Sequence, residues 1–276
     1  MLTDQQVAFF RENGFLNYGR VLHDAQVAEL REALERVVRD QAAAAPEAKR
    51  NLLGEGSQQV VTQIVNIWEA EPAFRRHLYN PVIVPMVAQL MGTDTVRVWH
   101  DQVQIKPPAI GGPTHWHQDH PYWPVIQPAD LVSAWVALED ATVENGCMSM
   151  VPGSHHWGAY KDGTIGTDPE SYGPAPAPSF LPPGAAIETV PCEVPAGGVV
   201  FHHCLTWHGA PPNRSAKNRP AIAVHYMPGH TRYEPRGKTH LVERHITVAP
   251  GEALQGEHFP TVYAGGRMAD PEAGAV

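Results

Sequence analysis

The order of hydrophobic and polar positions divides the chain into a helical first third and a strand-rich remainder. Val7 and Phe10 recur at helical spacing behind Thr3 and Gln6, a capping-box pair, and Gly14 supplies a stop. A short helix is predicted there. Asp24 is placed to cap a second helix, whose Val27, Leu30, Leu34 and Val37 form a stripe of period 3.6, with an alanine run ending before Pro46. A third helix is predicted over 81–91, with Pro81 in its first turn and Gly92 past its end. From Val96 onward the pattern changes to short β-branched and aromatic runs, at 96–99, 103–105, 131–138, 148–151, 199–203 and 221–226. Pro or Gly punctuates nearly every gap. Short strands without alternating helices predict a mainly β protein, an antiparallel sandwich or jelly roll with the helices buttressing the outside of one sheet.

Length and composition leave that picture intact. At 276 residues, with no internal repeat and no sharp break in composition, residues 1–276 are expected to form a single domain. The hydrophobic share of 43% and charged share of 18% are those of an ordinary globular protein. A formal charge of −9 without any basic run argues against a nucleic-acid or anionic-membrane surface. Cys147, Cys192 and Cys204 are odd in number and lack metal-type spacing, so a reducing, cytoplasmic setting is expected. No apolar run is long enough to span a bilayer, Met1 leads into a polar capped helix, and the final Ala-Gly-Ala-Val carries no peroxisomal address. The Pro- and Gly-rich stretch 154–198, with Pro174-Ala-Pro-Ala-Pro178 and Pro182-Pro183-Gly184, reads either as a lid over a site or as a passive surface excursion.

Candidate chemistry is concentrated at His117 and Asp119, two residues apart, with His208 ninety-one positions later and Arg219 eleven after that. If 117–119 is a strand, His117 and Asp119 project to one face and Gln118 to the other. Two imidazoles and a carboxylate on one face of a ferrous ion leave the opposite positions open for an oxo-acid and then dioxygen. The planar guanidinium of Arg219 suits the far carboxylate of a dicarboxylic oxo-acid, held by two parallel hydrogen bonds. His120, Tyr122 and Trp123 follow the motif and either line a substrate mouth or pack structurally. His155 and His156 open the long loop, and His155 is a candidate substrate contact. His202 and His203 are adjacent on one strand, so at most one faces the site, and both read as structural.

Several motifs together resemble one family. They are Gln104-Ile-Lys-Pro-Pro108, Trp116-His-Gln-Asp119, Pro128-Ala-Asp-Leu-Val132, Ala134-Trp135, Asn145-Gly-Cys147 and Val151-Pro-Gly-Ser-His155. This set is similar to the phytanoyl-CoA dioxygenase family, and Thr3-Asp-Gln-Gln, Asn13-Gly-Phe15 and Gly256-Glu-His-Phe-Pro260 match its edges. The resemblance implies an iron(II)- and 2-oxoglutarate-dependent dioxygenase on a double-stranded β-helix, the cupin-like jelly roll. His117, Asp119 and His208 would then bind iron, Arg219 would anchor 2-oxoglutarate, and Trp135 would line the co-substrate pocket. Gln102 and Gln63 fall at positions that contact the co-substrate in a family member, where they are methionine and lysine. Ala210 stands where the family often has a co-substrate-binding serine, which leaves Arg219 one partner fewer.

The implied activity is hydroxylation of an unactivated C–H bond in a small molecule, with succinate and carbon dioxide released. Relatives that halogenate lack this carboxylate and leave its position to chloride, so by the resemblance Asp119 argues against that outcome. Desaturation, epimerisation or ring formation from the same site remain open, as does a cupin-like isomerase that binds metal without 2-oxoglutarate.

Overall fold

The computed structural model describes residues 1–160, 181–184 and 187–270. Helix α1 (Asp4–Asn13) carries the complete capping box at Thr3 and Gln6, and ends at Gly14, whose φ of 79° few residues with a side chain adopt. After β1 (Phe15–Arg20), helix α2 (Asp24–Val38) starts one residue earlier than its acidic side chain implied. His23, not Asp24, is its cap: Nδ1 accepts the Gln26 N–H, and the Gln26 side chain accepts the His23 N–H. Asp24 sits in the first turn, where the helix dipole favours a carboxylate. The stripe Val27, Leu30, Leu34 and Val37 is buried as its period requires, while the alanine run lies beyond the helix.

Strands β2 (Ala48–Asn51) and β3 (Thr62–Val65) and the short helices α3 (Ile67–Ala70) and α4 (Pro72–Leu78) follow. None of the four has enough sequence periodicity to be predicted. Helix α5 (Ile83–Met91) begins two residues later than expected, because the Asn80 side chain accepts the Val82 and Ile83 N–H groups at 2.9 and 3.0 Å. The two apolar runs at 96–99 and 103–105 are one long strand, β4 (Thr95–Lys106). Then come β5 (Thr114–His117), β6 (Ile126–Gln127), β7 (Val132–Ala137), β8 (Ser149–Met150), β9 (Val190–Pro191), β10 (Gly198–His203), β11 (His208–Ala210), β12 (Arg219–Pro228), β13 (Arg232–Tyr233), β14 (Thr261–Ala264) and β15 (Arg267–Met268).

These strands make a nine-stranded sheet in the order β1-β10-β7-β12-β4-β14-β15, with β3 and then β2 also joining along β4. A four-stranded sheet, β5-β11-β8-β9, is separate. All named pairings are antiparallel. The architecture is the expected jelly roll, and strand alternation sorts its core into layers. Phe201, Val136, Ala134, Ile222 and Val224 join the cluster that α2, α4 and α5 cover. Their neighbours Val200, Trp135, Ala137, Ala221 and Ala223 face inward and pack with Met148, Met150 and Ala210 of the small sheet. Small residues at 210, 221 and 223 leave space on that inner side, next to the candidate ligands.

Candidate active site

His117 ends β5, His208 begins β11, and the two are direct register partners. The strand stops at His117, so the alternation argument for Asp119 does not hold. Asp119 instead has helical backbone angles at the start of a tight turn over His120–Tyr122, and this turn swings its carboxylate back towards both imidazoles. Oδ1 lies 3.5 Å from His117 Nε2 and 3.6 Å from His208 Nε2. One atom from each of the three residues can be chosen so that all lie within 4.8 Å of one another.

Each ligand is oriented from behind. His117 Nδ1 stands 2.7 Å from the His115 carbonyl oxygen, and His208 Nδ1 stands 2.8 Å from that of Thr206. Each Nδ1–H can therefore donate to a carbonyl two residues back, leaving Nε2 with its lone pair towards the centre. Asp119 Oδ2 is held by the Ser133 hydroxyl at 3.2 Å and by His202 Nε2 at 3.0 Å, so Oδ1 is free to bind. Ser133 also meets His225 Nδ1 at 2.6 Å. His202, Ser133, His225 and His100 form one register row across β10, β7, β12 and β4. His202 is thus a supporting residue that its sequence position, beside another histidine, conceals. Burial opposes the ionisation of Asp119, but His208, His117 and His202 outweigh it and hold the carboxyl well below its usual range. Burial and the neighbouring His117 lower the pKa of His208, and the imidazole without its Nε2 proton is the form a metal needs.

Behind this triad is a space of about 420 Å³, counting its open mouth, lined by Arg219, Trp135, Thr114, Gln102, Gln104 and Ala223 among others. Arg219 is buried, and its Nε and Nη1 have no hydrogen-bond partner. Its guanidinium lies 5.3 Å from the Trp135 ring centre. Burial lowers its pKa to about 10, which leaves it charged at neutral pH. A buried cation with unused donors beside three convergent metal ligands fits a carboxylate-bearing co-substrate on iron. Thr114 was not among the residues singled out from sequence. It pairs with Ala210 across β5 and β11, and its buried hydroxyl has no partner. The hydroxyl missing at Ala210 is therefore present on the adjacent strand.

Gln102 reaches both this space and an outer one of about 690 Å³, again counting its mouth, which Gln63, Arg50, Val65, His100, Tyr122, Trp123, His240 and Leu241 help to line. Gln63 donates to Gln102 and accepts from Arg50 Nε at 2.9 Å, forming a polar chain from the surface inward. Gln63 therefore lines only the outer space. Two further expectations need correction. His120 is buried with Nε2 3.1 Å from the Ile126 carbonyl oxygen, and it lines neither space. His155 stands 3.1 Å from the Arg11 carbonyl oxygen and stacks on His156, so it braces α1. Gln118, which faces away from the triad, accepts the Tyr160 N–H and donates to the Gly158 and Leu205 carbonyls. It anchors the start of the long Pro- and Gly-rich stretch; residues 161–180, including 174–178, lie outside the described residues, as do 185 and 186.

The family model for phytanoyl-CoA dioxygenase matches residues 10–221. The chain belongs to the phytanoyl-CoA dioxygenase family. Among curated relatives, phytanoyl-CoA dioxygenase domain-containing protein 1 of Mus musculus is 32% identical over 160 residues, 57% of this chain. That match spans 53% of the relative, about half its length. Among solved structures, the non-haem, alpha-ketoglutarate-dependent carbocyclase SnoK from nogalamycin biosynthesis is 32% identical, with a TM-score of 0.78 over 94% of this chain and 96% of its own. The epimerase SnoN, in complex with Fe3+, alpha ketoglutarate and nogalamycin RO, is 28% identical, with a TM-score of 0.74 over 94% and 97%. The family's cofactor class, non-haem iron with 2-oxoglutarate, suits the donors that His117, Asp119, His208 and Arg219 present.

Proposed function

We propose that this family member is an iron(II)- and 2-oxoglutarate-dependent oxygenase that attacks an unactivated C–H bond of a small molecule. One observation carries the reading: buried Arg219, whose Nε and Nη1 have no partner, shares a cavity with the His117, Asp119 and His208 ligand atoms. Iron and 2-oxoglutarate, when bound with dioxygen, supply the oxidant that removes hydrogen from the substrate, leaving succinate and carbon dioxide.

His117, Asp119 and His208 hold the iron in this reading, and the His115 and Thr206 carbonyls with His202 and Ser133 fix their orientation. Arg219 pairs with the distal carboxylate of 2-oxoglutarate over Trp135, and Thr114 adds the hydroxyl that Ala210 lacks. Gln102 stands between co-substrate and substrate, and Gln63 positions it. Tyr122 and Trp123 form the aromatic wall of the outer space, shield the centre from water and hold the target carbon. Residues 1–276 act as one unit because helices and large sheet share a core.

A second reading concerns the outcome. SnoK is named a carbocyclase and matches nearly the whole chain, so hydrogen removal followed by ring closure is the alternative to hydroxylation here. Burying Asp119 within the ligand set disfavours halogenation, which needs that position for a halide. A cytoplasmic location fits Cys147, Cys192 and Cys204, which are free and buried. No described helix is long and apolar enough to cross a membrane.

The test is uncoupled turnover: 2-oxoglutarate consumption and succinate release by the iron-loaded protein, with and without candidate small molecules. Succinate release that needs iron, and is lost in His117→Ala and in Arg219→Ala, supports the assignment. Metal binding with no 2-oxoglutarate affinity by calorimetry would leave the cupin-like isomerase in its place.

A further inference from the structure

A second convergence of metal-type donors lies outside the active site. Glu69 on α3, His245 at the end of the turn Leu241–His245, and His258 offer ligand atoms that all lie within 4.8 Å of one another. His258 Nδ1 is 2.9 Å from Glu69 Oε1, and the His245 and His258 rings stack with centres 3.7 Å apart at 23°. A further carboxylate adjoins His245, outside that group of three: Glu47 Oε2 is 2.9 Å from His245 Nε2 and 2.8 Å from Arg244 Nη2. The Glu47 side chain is only 3% exposed, whereas Arg244 is 66% exposed, so the buried carboxylate leans on a cation that is mostly in water. Asn66 Nδ2 donates to Glu69 Oε1 at 3.2 Å and fixes that carboxylate in turn.

Charge and geometry both ask for a cation here. Two carboxylates and one guanidinium leave the group one negative charge in excess, unless an imidazole is protonated or a cation binds. Nitrogen and oxygen ligands at about 2.0–2.2 Å from zinc lie roughly 3.4 Å apart in a tetrahedron, so shifts of little more than ~1 Å bring Glu69, His245 and His258 to that spacing, and Glu47 beside His245 is the carboxylate nearest the fourth position. Two histidines and two carboxylates suit zinc or a similar borderline ion better than calcium or magnesium, which prefer oxygen alone.

We propose that Glu69, His245 and His258, with Glu47 as the fourth donor, form a second transition-metal site of zinc type, structural rather than catalytic. The donors come from both ends of the chain. Glu47 precedes β2 and Glu69 lies on α3, while His245 and His258 belong to the segment that follows β13. That segment also supplies His240 and Leu241 to the outer space of the active site. A bound ion would therefore fasten one wall of the substrate space to the first third of the chain.

The experiment is zinc titration of chelator-stripped protein, read by calorimetry and by melting temperature. The double variant His117→Ala/Asp119→Ala removes the triad, so the result does not depend on the oxygenase assignment. Wild type is expected to bind two equivalents and the triad variant one, with zinc raising the latter's melting temperature. Adding His258→Ala, or Glu69→Gln as a milder change that keeps side-chain size, should weaken that remaining equivalent at least about 100-fold and abolish the thermal shift. The proposal is overturned if the triad variant binds no zinc, or if its equivalent survives in both added variants. It is also overturned if the shift persists in both, because the histidines and carboxylates would then be a proton-stabilised ion-pair cluster.

Discussion

His202 Nε2 lies 3.0 Å from Oδ2 of Asp119, on the side of the carboxylate opposite His117 and His208. The imidazole thus chooses which carboxylate oxygen is left for metal. Residues behind ligands commonly alter metal affinity 10–100-fold when removed. His202→Leu should weaken ferrous ion binding by about that factor, and a similar loss of succinate release should be recovered partly at high iron. Unchanged iron affinity in an anaerobic titration would mean that Ser133 alone orients Asp119.

Arg219 is fully buried and uses neither Nε nor Nη1 within the protein. Truncating one side of a buried charge pair typically costs 2–5 kcal/mol. Arg219→Ala should therefore weaken 2-oxoglutarate binding by a factor on the order of 100 or more, while iron binding without co-substrate stays within a few fold. Arg219→Lys should recover only part, since an ammonium cannot make the bidentate pair over Trp135.

Thr114 and Ala210 face each other across β5 and β11. Thr114→Val keeps the shape and removes the hydroxyl, so co-substrate affinity should fall by about 10–100-fold, the worth of one hydrogen bond to a charged group. Ala210→Ser in that background should restore it. If Thr114→Val binds 2-oxoglutarate normally, the hydroxyl faces something else.

His77 is buried on α4, and burial lowers its pKa to about 4. The unfolded chain takes up a proton near pH 6.5, whereas the folded chain stays neutral down to about 4, so the unfolded state binds more protons between those values. Stability should fall as pH drops through that window, by roughly 3 kcal/mol from this group alone. His77→Gln should flatten the fall, as read by denaturant midpoints at pH 7, 6, 5 and 4. Equal slopes in both proteins would show that His77 is protonated in the fold.

Much of the site was legible because its chemistry is local in sequence or tied to a motif. His117 and Asp119 are two positions apart, and His208 and Arg219 sit at recognisable intervals. Asp119 reaches the imidazoles from a turn and not from the strand that the two-residue spacing suggests. The supports were illegible for a physical reason. His202, Ser133, His225 and His100 become neighbours through strand register, and register joins partners as far apart in sequence as His100 and His225 without any spacing to read. Thr114 was hidden likewise, its hydroxyl gaining meaning only opposite Ala210. For the fold, the apolar runs located β4, β7, β10 and β12, but β2, β3, α3 and α4 are too short to show a period. His120 directly follows the motif and His155 opens the long loop, yet their ring nitrogens meet backbone carbonyl groups.

The pairing of His117 with His208 has an evolutionary consequence. Strand register changes only in whole residues, and a slip by one would put Trp116 or Gln118 opposite His208 and turn the ligand away. The proposed metal site therefore cannot drift by small steps of register. Its geometry is kept whole or lost, while the residues of the outer space, Tyr122, Trp123, His240 and Leu241, lie off this pairing and are not constrained by its register. A lineage can change what it oxidises there without ever renegotiating how the metal is held.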